Sequence, residues 1–276
     1  MIYNLVISLS YKVREEDINV LVSKMQASKM HVTISTIQKD YRLYKEGAIL
    51  LTDDAVLAEE CSNREFPYVF LLHEHNKQES LPSGAYCVES LADVSCEYLD
   101  RVYRRAKGLP WIILTTDRLQ IREITPEDVP RLYELYEDES ITRYMEPLFP
   151  SQQQEIDYTK DYIKYVYSFY GYGMWLITLK KNGEIIGRAG LEYKEGFEGL
   201  ELGFMLGREY QHKGYAYEAC KGILNYALEE LEQTSFRAIV HRDNEPSGNL
   251  CEKLGFHKVD VMQKDEYLEY RMNRTL

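Results

Sequence analysis

An α/β (α+β) chain in two parts is implied by three features of the sequence. In the first part, apolar strand-like runs alternate with amphipathic helical segments, the pattern of a small open α/β sheet with a Rossmann-like core. Gly108, Leu109 and Pro110 then stop a helix and Trp111 opens a new segment, which sets a domain boundary within 108–115. Beyond it the order becomes a strand, helices, and consecutive strands turned at Asn182-Gly183, a dipeptide suited to hairpins. The division expected is a first domain at 1–110 and a second at 115–276.

Residues 2–9 read as a strand. Ile18, Leu21, Val22 and Met25 recur at helical spacing, which predicts a helix over 14–30. The β-branched run 32–37 predicts another strand, and the polar stretch 39–46 a helix or an irregular segment. Residues 48–51 form a short apolar strand, after which Thr52 or Asp53 can cap a helix over 55–61. A turn at 63–65, a strand at 68–72, a loop to Gly84, a short strand at 85–88 and a helix at 96–107 complete this part. Residues 50–58 loosely resemble the core of the haloacid-dehalogenase-like fold. That family requires an Asp-x-Asp motif at a strand end, and this half contains none. The resemblance therefore covers topology alone, and Asp53 and Asp54 read as helix-capping groups and not magnesium ligands.

In the second part, Leu119, Ile121 and Ile124 mark a strand within 114–124. Thr125, Pro126 and Asp128 form a helix start, with a capping hydroxyl, a proline at the first position and an acid three residues on. Helices follow over 129–136, from near Ser140, and over 151–170. Strands at 174–180 and 185–193 flank Asn182-Gly183, and a third begins after the loop 195–199. A helix over 216–231, a strand over 236–241, a helix over 244–253 and a final strand pair at 258–263 and 267–271 close the chain.

No apolar run approaches the roughly 18 residues of a membrane span. The apolar start lacks a basic leader and a small-residue cleavage site, so it reads as a strand and not a signal peptide. The five cysteines, Cys61, Cys87, Cys96, Cys220 and Cys251, are scattered, and none forms a C-x-x-C pair. Reduced thiols in a cytoplasmic protein are the simplest account. His73 and His75 alternate at a strand end without a third ligand nearby, so no metal site is expected. A net charge of −12 argues against nucleic-acid binding. Residues 1–115 carry 13 basic and 16 acidic side chains, and residues 116–276 the other 20 and 29. The more acidic second part suits a cationic partner such as an amine, although the same charge also serves solubility.

One stretch organises the rest. Residues 199–222 begin as an alternating strand, pass through a short loop and enter a helix near Gly214. The first N–H groups of a helix have no internal partner and the dipole there favours negative charge, so such a turn is a ready anion site. Gly214 lets a phosphate approach the backbone, and the small Ala216 keeps the first turn open.

The order of elements over 117–271 resembles the GCN5-related N-acetyltransferase (GNAT) fold, a mixed and mostly antiparallel sheet flanked by helices. Three motifs agree with it. Thr116, Asp117, Arg118, Leu119, Gln120, Ile121 and Arg122 are similar to the opening of the branch that acetylates ribosomal-protein N-termini. Gln211, Gly214 and Ala216 match that family's acetyl-CoA loop. Asn244, Ser247, Leu250 and the run Lys253, Leu254, Gly255, Phe256 match its second motif. The resemblance covers about residues 115–273.

The resemblance implies that Gln211, His212, Lys213, Gly214, Tyr215 and Ala216 hold the pyrophosphate of acetyl-CoA. It implies that the pantetheine arm lies along Phe204, Met205 and Leu206 like an added strand, with one N–H polarising the thioester, and that Asn244 and Ser247 touch the arm from the other side. The attacking ammonium must lose a proton. Glu201, on the face shared with Gly203 and Met205, is the first candidate base, and Glu192 the second. Many relatives place a Tyr where this chain has Cys251. The proton donor to the departing thiolate is therefore open between Cys251, Ser247 and none. The aromatics Tyr144, Tyr158, Tyr162, Tyr165, Tyr167, Tyr170, Tyr172 and Trp175 could face the acceptor amine, while the helical stripe Tyr158, Tyr162, Tyr165 also suits packing. The expected protein is an acetyl-CoA-dependent N-acetyltransferase acting on a small-molecule amine or a protein N-terminus, with no metal, no nucleic acid and no membrane, and compatible with a homodimer. The alternative is an acetyl-CoA-binding sensor or scaffold without turnover.

Overall fold

A computed structural model describes residues 4–34, 46–259 and 266–275, without the side chain of Ser140. The strand residues expected at 2–3, 35–37 and 260–263, and the polar residues at 39–45, lie outside these. The chain divides into two compact units, Met1–Trp111 and Ile112–Leu276.

The first unit contains β1 (Asn4–Ser8), α1 (Glu15–Ala27), β2 (His31–Ile34), β3 (Ala48–Thr52), α2 (Ala55–Asn63), β4 (Tyr68–Leu71), β5 (Cys87–Val88) and α3 (Cys96–Ala106). Its five strands are all parallel in the order β2-β1-β3-β4-β5, a doubly wound arrangement. The period of two along each strand sorts the core. Leu5, Ile7, Ile49, Leu51, Val69 and Leu71 share one cluster with Leu21 and Met25 of α1 and Leu99 and Val102 of α3. Val6, Leu50 and Phe70 join Leu57, Ala58 and Cys61 of α2 in the other. With helices on both faces, β3 is buried throughout, which is why its residues read as an unbroken apolar run and not an alternation.

The cap of α2 is neither Thr52 nor Asp53. The Asp54 carboxylate accepts from the N–H groups of Val56 and Leu57 at 2.9 and 3.1 Å. Asp53, only 3% exposed, accepts from Ser10 N, Ser10 Oγ and Tyr11 N at 2.7, 3.0 and 2.6 Å, and so ties the loop after β1 to the end of β3. The first unit is thus a small parallel α/β build, with both acids in structural roles. His73 is half-buried with Tyr11 stacked on it at 4.3 Å, and His75 is exposed. Among the described residues no three His, Cys, Asp or Glu side chains cluster as a metal site would require.

The second unit contains β6 (Ile112–Thr115), β7 (Leu119–Arg122), α4 (Val129–Tyr136), α5 (Glu139–Thr142), α6 (Gln152–Asp161), α7 (Ser168–Tyr170), β8 (Met174–Leu179), β9 (Ile185–Tyr193), β10 (Leu200–Leu206), α8 (Tyr215–Glu229), β11 (Ser235–His241), α9 (Glu245–Leu254), β12 (His257–Val259) and β13 (Tyr267–Asn273). The eight strands run β12-β13-β11-β10-β9-β8-β7-β6. Every neighbouring pair is antiparallel except β10 and β11, which α8 joins as a parallel crossover.

Three elements differ from expectation. The single strand within 114–124 is a hairpin, β6 and β7, whose turn is closed by Thr116 N donating to Leu119 O at 2.9 Å and Leu119 N donating to Thr116 Oγ1 at 3.0 Å. The β8–β9 connection is wider than a two-residue turn: Leu179 N donates to Glu184 O, and of Asn182 and Gly183 only Gly183 takes a positive φ, 72°. The helix over 151–170 changes to π geometry over Tyr162–Tyr167 between α6 and α7. That wider turn lets two hydroxyls reach one residue. Tyr162 Oη accepts from Met174 N at 2.8 Å, and Tyr167 Oη donates to Met174 O. Tyr162 and Tyr167 therefore brace the start of β8, while Tyr158 and Tyr165 of the same helical run stay about half exposed.

Candidate active site

The parallel pair β10–β11 is short. Leu200 pairs with Phe236 and Glu201 with Arg237, and there the pairing stops. Beyond it β10 continues against β9 as far as Leu206 opposite Gly187, and β11 continues against β13 as far as His241 opposite Tyr267. The two strands separate, so the edge of β10 from Leu202 to Leu206 has no strand partner on the β11 side among the described residues. An extended chain bearing amides can pair with such an edge. Phe204 is half-buried there, and Met205 and Leu206 are buried.

At the mouth of this gap β10 passes into the loop before α8. Gln211 Nε2 donates to Leu206 O at 3.1 Å and folds the loop back on the strand. His212 and Gly214 take positive φ values of 57° and 80°. Gly214 is the N-cap of α8 and has no side chain with which to cap, so the first N–H groups of the helix, from Tyr215 and Ala216, lack an intrahelical partner. Lys213 is exposed with its ammonium 5.8 Å from the Tyr210 ring centre.

Residues from the β6–β7 turn, about a hundred positions away, hold this loop. The Glu218 carboxylate in the first turn of α8 accepts from Thr116 Oγ1 at 2.6 Å, Arg118 N at 2.9 Å and Arg118 Nε at 2.6 Å. Arg118 Nη1 donates to Lys213 O at 3.0 Å, and the guanidinium lies 4.5 Å from the Tyr215 ring centre. Burial raises the Glu218 pKa, but the hydrogen bonds from Thr116 and Arg118 and the guanidinium charge outweigh it, and the carboxyl lies below its ordinary range.

The other wall of the gap is β11 with α9. Asn244 caps α9, its side-chain oxygen accepting from Ser247 N at 3.3 Å. A cavity of about 200 Å³ lies between α9 and the strands β11 and β13, lined by Val240, His241, Asn244, Gly248, Leu268 and Tyr270. Cys251, one turn of α9 beyond Ser247, is fully buried, and burial followed by the Glu252 charge pushes its thiol up to about 12. The neighbouring Cys220 is raised in the same manner.

At the apex of the gap stand the two candidate carboxylates. Glu192 and Glu201 face each other directly across β9 and β10, an unfavourable arrangement unless each is neutralised. Lys194 Nζ lies 2.9 Å from Glu192, and Arg237 Nε lies 2.9 Å from Glu201. The hydrogen bond to Glu192 holds the Lys194 ammonium above its usual pKa. Arg237 is itself buried, with Phe197 4.7 Å from its guanidinium.

Thus the loop Gln211–Ala216, the β10 edge and Glu201 lie along the gap, and Asn244, Ser247 and Cys251 lie on α9, which follows β11. Glu218, Arg118, Thr116 and Arg237 escape a reading by spacing, since only strand register and the β6–β7 turn bring them in. The single sequence signal for Glu218 is an acid in the first turn of a helix.

A split parallel pair followed by an uncapped helix start offers an edge for an extended amide-bearing chain beside N–H groups suited to an anion. Residues 118–257 match the family Acetyltransferase (GNAT) domain, and the chain belongs to that family. It is an acetyltransferase whose fold class uses acetyl-CoA as acyl donor. Among its relatives, the uncharacterized N-acetyltransferase YoaA of Bacillus subtilis (strain 168) is 28% identical over 158 residues, covering 56% of this chain and 88% of that protein. The [Ribosomal protein uS5]-alanine N-acetyltransferase of Escherichia coli (strain K12) is 29% identical over 161 residues, covering 55% and 81%. Among solved structures, an acetyltransferase from Agrobacterium tumefaciens str. C58 aligns with a TM-score of 0.50 and 25% identity, covering 58% of this chain and 94% of that one. A Salmonella typhimurium acetyltransferase that modifies the N-terminal serine of ribosomal protein L7/L12 shares the fold, with a TM-score of 0.52 and 17% identity over 60% of this chain and all of that one.

Proposed function

We propose that the second unit is an acetyl-CoA-dependent N-acetyltransferase for a primary amine, either a protein N-terminus or a small molecule, working in the cytoplasm, and that residues 1–110 form an accessory domain. The observation that carries this reading is the loss of β10–β11 pairing after Glu201 and Arg237. It leaves a strand edge free for the amides of the pantetheine arm, beside helix N–H groups suited to a pyrophosphate. Acetyl-CoA supplies the acetyl group as a thioester. The N–H groups of the loop Gln211–Ala216 hold the phosphates, the edge at Phe204, Met205 and Leu206 aligns the arm, and Asn244 and Ser247 border it from α9.

Glu201 is the proposed base that receives the proton of the incoming ammonium, directly or through a water, with Arg237 fixing its carboxylate. Glu192 is the second candidate. Once the carboxylate holds that first proton, amine attack on the thioester carbonyl forms the C–N bond and the C–S bond breaks. The second proton shed by nitrogen goes to the departing thiolate through a donor or water, leaving the amide and CoA as its thiol. Ser247 is the candidate donor to the leaving thiolate, and the buried Cys251 is a packing residue in this reading. An acceptor screen that detects released CoA as free thiol tests the function. Turnover with at least one class of primary amine is expected, and acetyl-CoA binding without turnover across the panel would favour a sensor instead. The variant Glu201→Gln keeps a group able to bond Arg237. It is expected to bind acetyl-CoA normally and to lose about ten-fold or more in turnover; unaltered turnover would remove Glu201 from the role.

A further inference from the structure

The β6–β7 turn carries four hydrogen bonds to α8 and its loop that the reaction, as assigned above, does not use. We propose that Arg118, acting with Glu218, is a positioning residue for acetyl-CoA binding: a clamp that holds the Gln211–Ala216 loop in its anion-binding form.

Three hydrogen bonds and a ring contact place it there. Arg118 bonds the first turn of α8 through Glu218, from both its backbone N–H and its Nε. Its Nη1 takes the carbonyl of Lys213, one residue before the helix N-cap. Its guanidinium stacks on Tyr215, the first helical residue. Its Nη2 lies 3.4 Å from the point where a Cβ on Gly214 would stand. One planar group therefore spans the residues on both sides of Gly214. A loop carbonyl turned toward the arginine is a carbonyl turned away from an arriving phosphate. The turn that bears Arg118 is itself anchored. Thr116 Oγ1 donates to Glu218, while Lys180 Nζ and Lys180 N donate to the carbonyls of Thr116 and Arg118, each at 2.9 Å.

The pair is electrically neutral, so its effect on an anion comes from geometry and not from added charge. Arg118 is about half exposed, and an isolated surface ion pair contributes little to stability. The expected effect is therefore on affinity and not on folding. Lysine offers a single ammonium in place of a fork and cannot bridge Glu218, Lys213 O and the Tyr215 face together.

The proposal rests on the acetyl-CoA reading above, and the test separates the two. The full chain and the variants Arg118→Ala, Arg118→Lys and Glu218→Gln are compared with acetyl-CoA and with acetyl-pantetheine, which lacks the pyrophosphate. The expected result is a rise of about ten-fold or more in Kd and KM for acetyl-CoA in all three variants. The KM for acetyl-pantetheine and kcat at saturating acetyl-CoA should change by less than about three-fold. The double variant Arg118→Ala/Glu218→Gln should be no worse than either single one, because both remove the same clamp. Equal losses with both donors would overturn the clamp in favour of a general structural role. Tighter acetyl-CoA binding in Glu218→Gln would overturn it in favour of Arg118 as a direct phosphate ligand. If the wild-type chain binds neither donor, the cofactor reading fails and the clamp with it. If the wild type binds acetyl-CoA and Arg118→Ala binds it as well, the clamp alone is wrong.

Discussion

Gly214 occupies a backbone conformation, φ 80°, that costs a side-chain-bearing residue about 1–2 kcal/mol. A Cβ there would also stand 3.4 Å from Arg118 Nη2. Gly214→Val is therefore expected to shift the loop and raise the Kd for acetyl-CoA by about ten-fold or more, while the melting temperature falls by only about 2–8 °C. Calorimetry beside a thermal melt checks this; an unchanged Kd with a lowered melting temperature would mean that the loop form is irrelevant to binding. Cys251 is the opposite case. Its position matches the Tyr of many relatives, but its side chain packs inward and its thiol is pushed up to about 12. Cys251→Ala should keep turnover within about three-fold, and Cys251 should resist a thiol reagent that modifies the half-buried Cys87 and Cys96. A turnover loss of about a hundred-fold in a folded Cys251→Ala would restore it as the proton donor. At this scale the turn of Gln211–Ala216 into α8 could be read from spacing, because a loop that enters a helix at a glycine is local. The partners of Glu201 and Glu218 could not, since Arg237 and Arg118 reach them through strand register and a turn about a hundred residues distant.

The junction of β7 with the following helix shows how an element end is held. Thr125 N and Thr125 Oγ1 donate to Asp128 Oδ2 at 2.8 and 3.1 Å, and Arg122 bonds both Asp128 oxygens at 2.7 and 2.8 Å. Burial raises the Asp128 pKa, and the bonds from Arg122 and Thr125 more than reverse this, so the carboxyl titrates below its ordinary range. Hydrogen bonds to a charged group of this kind contribute about 1.5–3 kcal/mol, and Asp128→Asn should lower stability by about that much near pH 7. The folded pKa is depressed, so this stabilisation is full above the unfolded value of about 3.9 and is lost as pH falls through the folded value. Urea unfolding across pH should show wild type and Asp128→Asn far apart near neutrality and converging below about pH 4; a constant gap would mean that the charge of Asp128 contributes nothing. Thr125, Pro126 and Asp128 were legible as a helix start because caps are local. The β6–β7 hairpin was not, because Ile112, Ile113 and Leu114 lack the polar alternation that marks a half-buried strand. Of the two aspartates read as capping groups, Asp54 is one and Asp53 is not, because the adjacent acids serve different ends: Asp54 the helix, Asp53 the loop after β1.

Every residue assigned to the cofactor site, from Thr116 to Ser247, belongs to the second unit, Ile112–Leu276. That unit has its own eight-stranded sheet and its own buried residues, including Trp175, Phe236 and Phe256. Its size falls within the usual range of a domain that folds alone. The first unit is closed in the same sense, with two apolar clusters covering both faces of its parallel sheet. A fragment spanning residues 112–276 is therefore expected to fold and to bind acetyl-CoA within about three-fold of the full chain, as read by calorimetry. The cut must leave Ile112 in place. β6 pairs with β7 from Ile112 opposite Arg122 to Thr115 opposite Gln120, and the turn it forms carries Arg118. Removing residues 112–118 as well deletes that strand and the bonds to Glu218, and should raise the Kd by about ten-fold or more. If the fragment 112–276 folds, as shown by a cooperative melt, and still binds acetyl-CoA more than about ten-fold weaker than the full chain, the first unit takes part in cofactor binding and the assignment of the site to one unit is wrong.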